Sequence, residues 1–176
     1  MKLKPQCVSC HTKATTSTKL EDNLLPAAEA CRSCHESVQI RQPAATRLAK
    51  FDHAFHAGFG NIAPLIAAAI KANTYLGDGS KRLPHLTTNN ACAACHRGIE
   101  SATAIAPKAH HPEMAECLVC HNRIDPPYSC ETCHGNDKTL KPALHTADYL
   151  DAHTRKSEKI GCASCHGKRF TCLGCH

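Results

Sequence analysis

Seven copies of Cys-x-x-Cys-His run through this chain and use every one of its 14 cysteines. They stand at Cys7, Cys10 and His11; Cys31, Cys34 and His35; Cys92, Cys95 and His96; Cys117, Cys120 and His121; Cys130, Cys133 and His134; Cys162, Cys165 and His166; and Cys172, Cys175 and His176. Two cysteines three residues apart share one face of a helical turn, and the next side chain projects beside them. That is the attachment pattern of c-type haem, in which two thioethers hold the porphyrin and the adjacent imidazole reaches the iron. Histidine makes up ~8% of the chain (14 of 176 residues), so its chance placement after all seven pairs is of order 10⁻⁸. Four-sulfur zinc sites consume such pairs two at a time, and seven is odd; they also need no histidine after the second cysteine. With no cysteine left over, neither a thiol nucleophile nor a disulfide framework is indicated. The expected cofactor set is seven c-type haems.

Of the 14 histidines, seven belong to the motifs. His53, His56, His85, His110, His111, His145 and His153 remain, one for each iron. That match points to bis-histidine ligation, against a surface or supporting role in which imidazole bonds a propionate or the backbone. His110 and His111 are neighbours and point in different directions, which makes Met114 the substitute ligand if one of them does not bind.

The stretch Lys50-Phe51-Asp52-His53-Ala54-Phe55-His56 carries two histidines three apart on an expected helix. They cannot grip one iron from opposite faces, so they serve two haems and draw them together. Phe-x-His-x-x-His ahead of Cys-x-x-Cys-His motifs resembles the class III multihaem cytochromes c. The resemblance implies that His53 and His56 are distal ligands and that the motif histidines are proximal. It also implies covalent attachment outside the bacterial cytoplasmic membrane, hence a periplasmic or extracellular protein. The chain departs from the small members in haem number and in the long insertion between His56 and Cys92.

With 4% aromatic residues, no Trp and scattered aliphatic residues, the polypeptide has little from which to build an apolar core. One haem per about 25 residues changes that, because the porphyrins themselves become the core. The expected fold class is a multihaem cytochrome c, mostly irregular with short α-helices wrapped around a closely packed haem chain and few or no strands. Phe51, Phe55, Phe59, Tyr75, Tyr128, Tyr149 and Phe170 are expected against porphyrin faces or edges. Without haem, little stable structure should remain.

The formal charge of +6 suggests nucleic acid or an anionic membrane until the cofactors are counted. Each oxidised haem with two ionised propionates adds roughly −1, which brings the total to about −1, and to about −8 on full reduction. Lysines and arginines then read as propionate partners and docking patches, with no nucleic-acid role. The longest apolar run, residues 62–70, is too short to span a bilayer. Residues 1–5 show no signal-peptide pattern ahead of the first motif, so the chain reads as a mature or partial sequence.

Along the chain, one heptahaem domain over residues 1–176 is expected, with a two-haem lobe at 1–45 and a five-haem body at 46–176 as its natural subdivision. Pro26 starts a helix through the second motif; residues 61–73 form an apolar helix ending near Asn73, packed over a haem face. Gly77-Asp78-Gly79-Ser80 reads as a turn, and residues 87–90 supply caps for the helix of the third motif. Residues 125–127 make a stiff loop, and residues 144–156 a helix offering His145 and His153.

Bis-histidine iron has no open position, so electron transfer without substrate chemistry is the leading function, in anaerobic respiration or metal reduction. Donor and acceptor would be redox proteins, with extracellular metal oxides a further candidate acceptor. A haem filament built from copies of the chain is the first alternative. The second is a reductase of a small oxyanion, which would need one open haem among residues that show no Cys-x-x-Cys-Lys variant.

Overall fold

The computed structural model describes residues 6–32, 34–40, 48–102, 110–121, 130–135, 140, 145–149, 151 and 163–165. His153, Cys162, His166, Cys172, Cys175 and His176 lie outside the described residues. So do the loop at 125–127, Tyr128, Phe170 and most of the expected helix at 144–156. Among the described residues the chain is short helices and irregular backbone, with no strand. Backbone contacts gather it into two units, Met1–Gly60 and Asn61–His176, which groups His53 and His56 with the first two motifs.

The first unit holds α1 (Cys7–Cys10), α2 (Glu29–Arg32) and α3 (His53–Ala57). Each spans about one turn, far below the length at which an isolated helix is stable in water. They persist through local anchors. Asp52 caps α3 by accepting from the Phe55 N–H at 2.7 Å. The Ala54 N–H reaches back to the Ser17 carbonyl at 2.8 Å, and Ser17 is buried. No hydrophobic side chain is buried among the described residues of this unit, and Phe55 and Phe59 stand 64% and 62% exposed.

The second unit begins with α4 (Ala63–Lys71), the longest described helix. Asn61 starts it by accepting from the Ala63 N–H, and Pro64 lies in the first turn, where a missing N–H costs nothing. It ends before Asn73, which takes a left-handed φ of 56°, while the Thr74 and Tyr75 N–H groups return to the Ala69 carbonyl. The apolar run therefore ends where its sequence indicates. Ile66 on α4 packs with Tyr75 and Ala115, flanked by Ile62, Ala69, Ile70, Leu76, Leu86 and Val119. This is a small protein core of conventional kind.

After it come α5 (Gly79–Arg82), a 3₁₀ turn at Leu83–His85, α6 (Ala91–Cys95) and a 3₁₀ turn at Ile99–Ser101. Then follow α7 (Met114–Cys117) and a 3₁₀ turn at Cys130–Thr132. The stretch read as a turn at 77–80 instead starts α5: Asp78 accepts from the Ser80 and Lys81 N–H groups. The same Asp-Gly-Ser chemistry serves a turn or an N-cap, and here a helical turn follows. Asn90 caps α6 by accepting from the Cys92 N–H at 2.9 Å, as the polar stretch before the third motif indicates. Glu113 and Glu116 form a reciprocal capping box around the start of α7. No helix among the described residues is long and apolar enough to cross a membrane.

Candidate functional site

Five motifs, described throughout except at Ser33, share one local geometry. In each, the histidine N–H closes a helical turn on the carbonyl of the first cysteine. The distances are 2.9 Å for His11 to Cys7, 3.0 Å for His35 to Cys31 and 2.8 Å for His96 to Cys92. For His121 to Cys117 and His134 to Cys130 they are 3.0 and 2.9 Å. One closed turn puts both sulfurs and the following imidazole on neighbouring positions of one surface. The eleven described cysteines form no disulfide among themselves. Nor do three or more His, Cys, Asp or Glu side chains among the described residues converge as a metal cage would.

The imidazoles are held in a second, independent way. His11 Nδ1 lies 2.8 Å from the Leu24 carbonyl, and His96 Nδ1 lies 3.2 Å from the His110 carbonyl. Among the non-motif histidines, His53 Nδ1 bonds the Ala14 carbonyl and His56 Nδ1 the Asp52 carbonyl at 2.7 Å. His110 Nδ1 meets the Arg97 carbonyl at 2.8 Å. A carbonyl can only accept, so Nδ1 is the donor in all five bonds, and Nε2 is the ring nitrogen on the far side from them. Metal-ligating histidines are oriented by this kind of partner on the other ring nitrogen. The arrangement fits a haem iron ligated through Nε2, for motif and non-motif histidines alike.

These bonds also tie histidines to particular motifs. His53 is fastened just behind the first motif, and its helix brings His56 along, stacked on Phe51 at 4.5 Å between centroids. His96 Nδ1 meets the His110 carbonyl, and His110 Nδ1 meets the carbonyl of Arg97, the residue after His96. Between them Gly98 takes a φ of +69°, and a Cβ there would stand 3.4 Å from His85 Cε1 and 3.9 Å from His110 Nδ1. The structure thus brings His85 and His110 together beside the third motif. His110, rather than its neighbour His111, carries the Nδ1–carbonyl bond. Met114, the substitute ligand, opens α7 and is half-buried. His145 stacks on Tyr149 at 4.4 Å, and His35, His85, His111, His121 and His134 complete the described candidates.

Sequence reasoning missed a buried polar network between the third and fourth motifs. Arg82 and Glu116, 2% and 5% exposed, pair with Nε to Oε1 at 2.7 Å. Arg82 Nη2 also donates to the Ala94 carbonyl, between Cys92 and Cys95. Arg97 pairs with Glu113 at 2.6 Å and approaches Glu116 at 3.9 Å, and the Tyr75 hydroxyl donates to Glu116 at 3.4 Å. The Glu113 N–H donates to the other oxygen of Glu116. Burial pushes the Glu116 carboxyl above its ordinary range, against the Glu113 N–H and the two guanidinium groups. Burial, with Glu116 and Glu113 nearby, likewise raises the Tyr75 hydroxyl. Cys95 and Cys117 are raised by desolvation first and by the Glu116 charge second. Arg82 Nη1 is buried with no hydrogen-bond partner, a situation that costs about 1–3 kcal/mol for a typical buried donor. An orphaned cationic donor beside an attachment turn fits a cofactor that carries carboxylates.

No protein-family model, no curated protein and no solved structure matches this chain. The functional reading therefore stands on the residues and their geometry.

Proposed function

We propose that this chain is an exported electron-transfer protein of the multihaem c-type class, with seven covalently attached haems and bis-histidine iron. The single observation that carries the reading is the shared treatment of the imidazoles. Nδ1 of His11 and His96 in the motifs, and of His53, His56 and His110 outside them, meets a backbone carbonyl. Each such bond fixes the ring and leaves Nε2 on its far side. When bound, haem supplies a one-electron iron couple that two strong imidazole ligands hold without an open position.

The chain's part is to hold and tune. The closed cysteine turns fix two sulfurs and a proximal nitrogen together. Asp52, through its cap on α3 and its carbonyl on His56, sets the pose of a distal candidate. The first unit buries no hydrophobic side chain among its described residues, so the surface it needs to bury has to come from a partner group. Exposed Phe55 and Phe59 suit that role. Electrons would pass to and from redox proteins through weak, charged docking surfaces, in anaerobic respiration or metal reduction.

The test is a count. The chain, exported from a host with c-type maturation, is assayed by intact mass and by the alkaline pyridine spectrum. Seven haems per chain are expected, with no alkylatable thiol. Free thiols, or bound zinc in place of haem, would overturn the reading.

A further inference from the structure

We propose that Arg82 is the buried docking cation for a propionate of the haem carried by Cys92 and Cys95. This rests on the haem reading above and concerns one residue's role within it. Arg82 is 2% exposed, and its three nitrogens meet different fates. Nε lies against Glu116 as an ion pair, without the alignment of a hydrogen bond. Nη2 donates to the Ala94 carbonyl, inside the third attachment turn. Nη1 is enclosed and has no acceptor.

The nearby carboxylates are already committed. Glu116 Oε1 faces Arg82 at 2.7 Å, the Tyr75 hydroxyl at 3.4 Å and Arg97 at 3.9 Å. Its Oε2 accepts from the Glu113 N–H, and Glu113 itself pairs with Arg97. Among the described residues no group accepts from Nη1, which leaves that position for an acidic group of the cofactor. A guanidinium presents a rigid planar fork suited to a carboxylate, and a buried one favours an anion over water. A haem attached at Cys92 and Cys95 brings two carboxylates with it. The link from Nη2 to Ala94 selects this haem over the one at Cys117 and Cys120, because it fixes the guanidinium to the third turn itself.

The experiment uses the holoprotein in three forms: wild type, Arg82→Lys and Arg82→Gln. Intact mass comes first. Absence of haem from the wild type would sink the underlying reading and leave nothing for Arg82 to bind. With seven haems attached, two measurements decide. The crystal structure of the wild-type holoprotein is expected to place a propionate oxygen of the third-motif haem within hydrogen-bond distance of Nη1. A water at Nη1, or a propionate from the fourth-motif haem, overturns the proposal. Haem-resolved redox titration is expected to show one haem in Arg82→Gln whose reduction is disfavoured about tenfold, a fall of about 59 mV for one electron. The sign follows because removing a cation favours the ferric state. Arg82→Lys keeps the charge and should hold most of that potential. Seven haems with unchanged potentials in Arg82→Gln would reduce Arg82 to a packing role and overturn the proposal. If Arg82→Gln does not fold, the position of the propionate in the wild-type crystal structure decides alone.

Discussion

His110 and Gly98 show how much a single position decides here. The Nδ1–carbonyl bond of His110 fixes the orientation of its ring, and the left-handed Gly98 lets the backbone pass close to the His85 and His110 rings. Alanine at 98 would carry the left-handed backbone at a cost of about 1–2 kcal/mol and would come into contact with the His85 ring. Gly98→Ala is therefore expected to lower the thermal midpoint of the holoprotein and to perturb a low-spin haem signal; an unchanged midpoint and spectrum would show the rings to be unconstrained there. His110→Ala is expected to leave seven haems attached but open one iron, seen as carbon monoxide binding to the reduced variant. Retention of a fully carbon-monoxide-inert spectrum would hand that ligand position to His111 or Met114. The histidine surplus was plain from counting. That the His110 ring is anchored was not, because the anchor is a carbonyl thirteen residues away at Arg97.

The elements are too short to stand by themselves, so their caps carry unusual weight. Asn90 starts the turn that presents Cys92, Cys95 and His96. Asn90→Ala is expected to cost about 1 kcal/mol in reversible denaturant unfolding of the holoprotein. No measurable loss would mean that the attached haem alone holds the turn. Asp78 starts α5, and its carboxyl is held below the ordinary carboxylate range by the Ser80 hydroxyl first and the Lys81 N–H next. A folded value below the unfolded one stabilises the protein above the ordinary carboxylate range, and the contribution is lost as pH falls through the depressed value. Asp78→Asn keeps the cap but removes this titration. The stability gap between wild type and Asp78→Asn should thus narrow as pH falls from neutral to about 3; a gap independent of pH would contradict the assignment. Sequence pattern reached the apolar helix α4 and the Asn90 cap, both products of local chemistry. It read α5 as a turn because Asp-Gly-Ser opens either structure. The Arg82–Glu116 pair was out of reach, since its partners lie 34 positions apart and nothing local marks their meeting. Such a pair is positional more than stabilising, because the cost of desolvating both charges offsets most of their attraction.

At the scale of the whole molecule, the described residues hold one small apolar cluster around Ile66 in the second unit and none in the first. The sparse apolar composition made that scarcity legible in advance; on the proposed reading, haem would fill the space. Which histidines the fold brings together was not legible, because that follows contacts across the fold and not spacing along the chain. Assembly without haem is expected to give a chain with little cooperative unfolding by circular dichroism. A sharp thermal transition in the haem-free form would show that the polypeptide folds by its own core. The most direct measurement is the visible spectrum of the fully reduced holoprotein before and after carbon monoxide. An unchanged Soret band is expected, every iron being held by two imidazoles. A shifted band would reveal an open iron and contradict the assignment of this chain as a pure electron carrier.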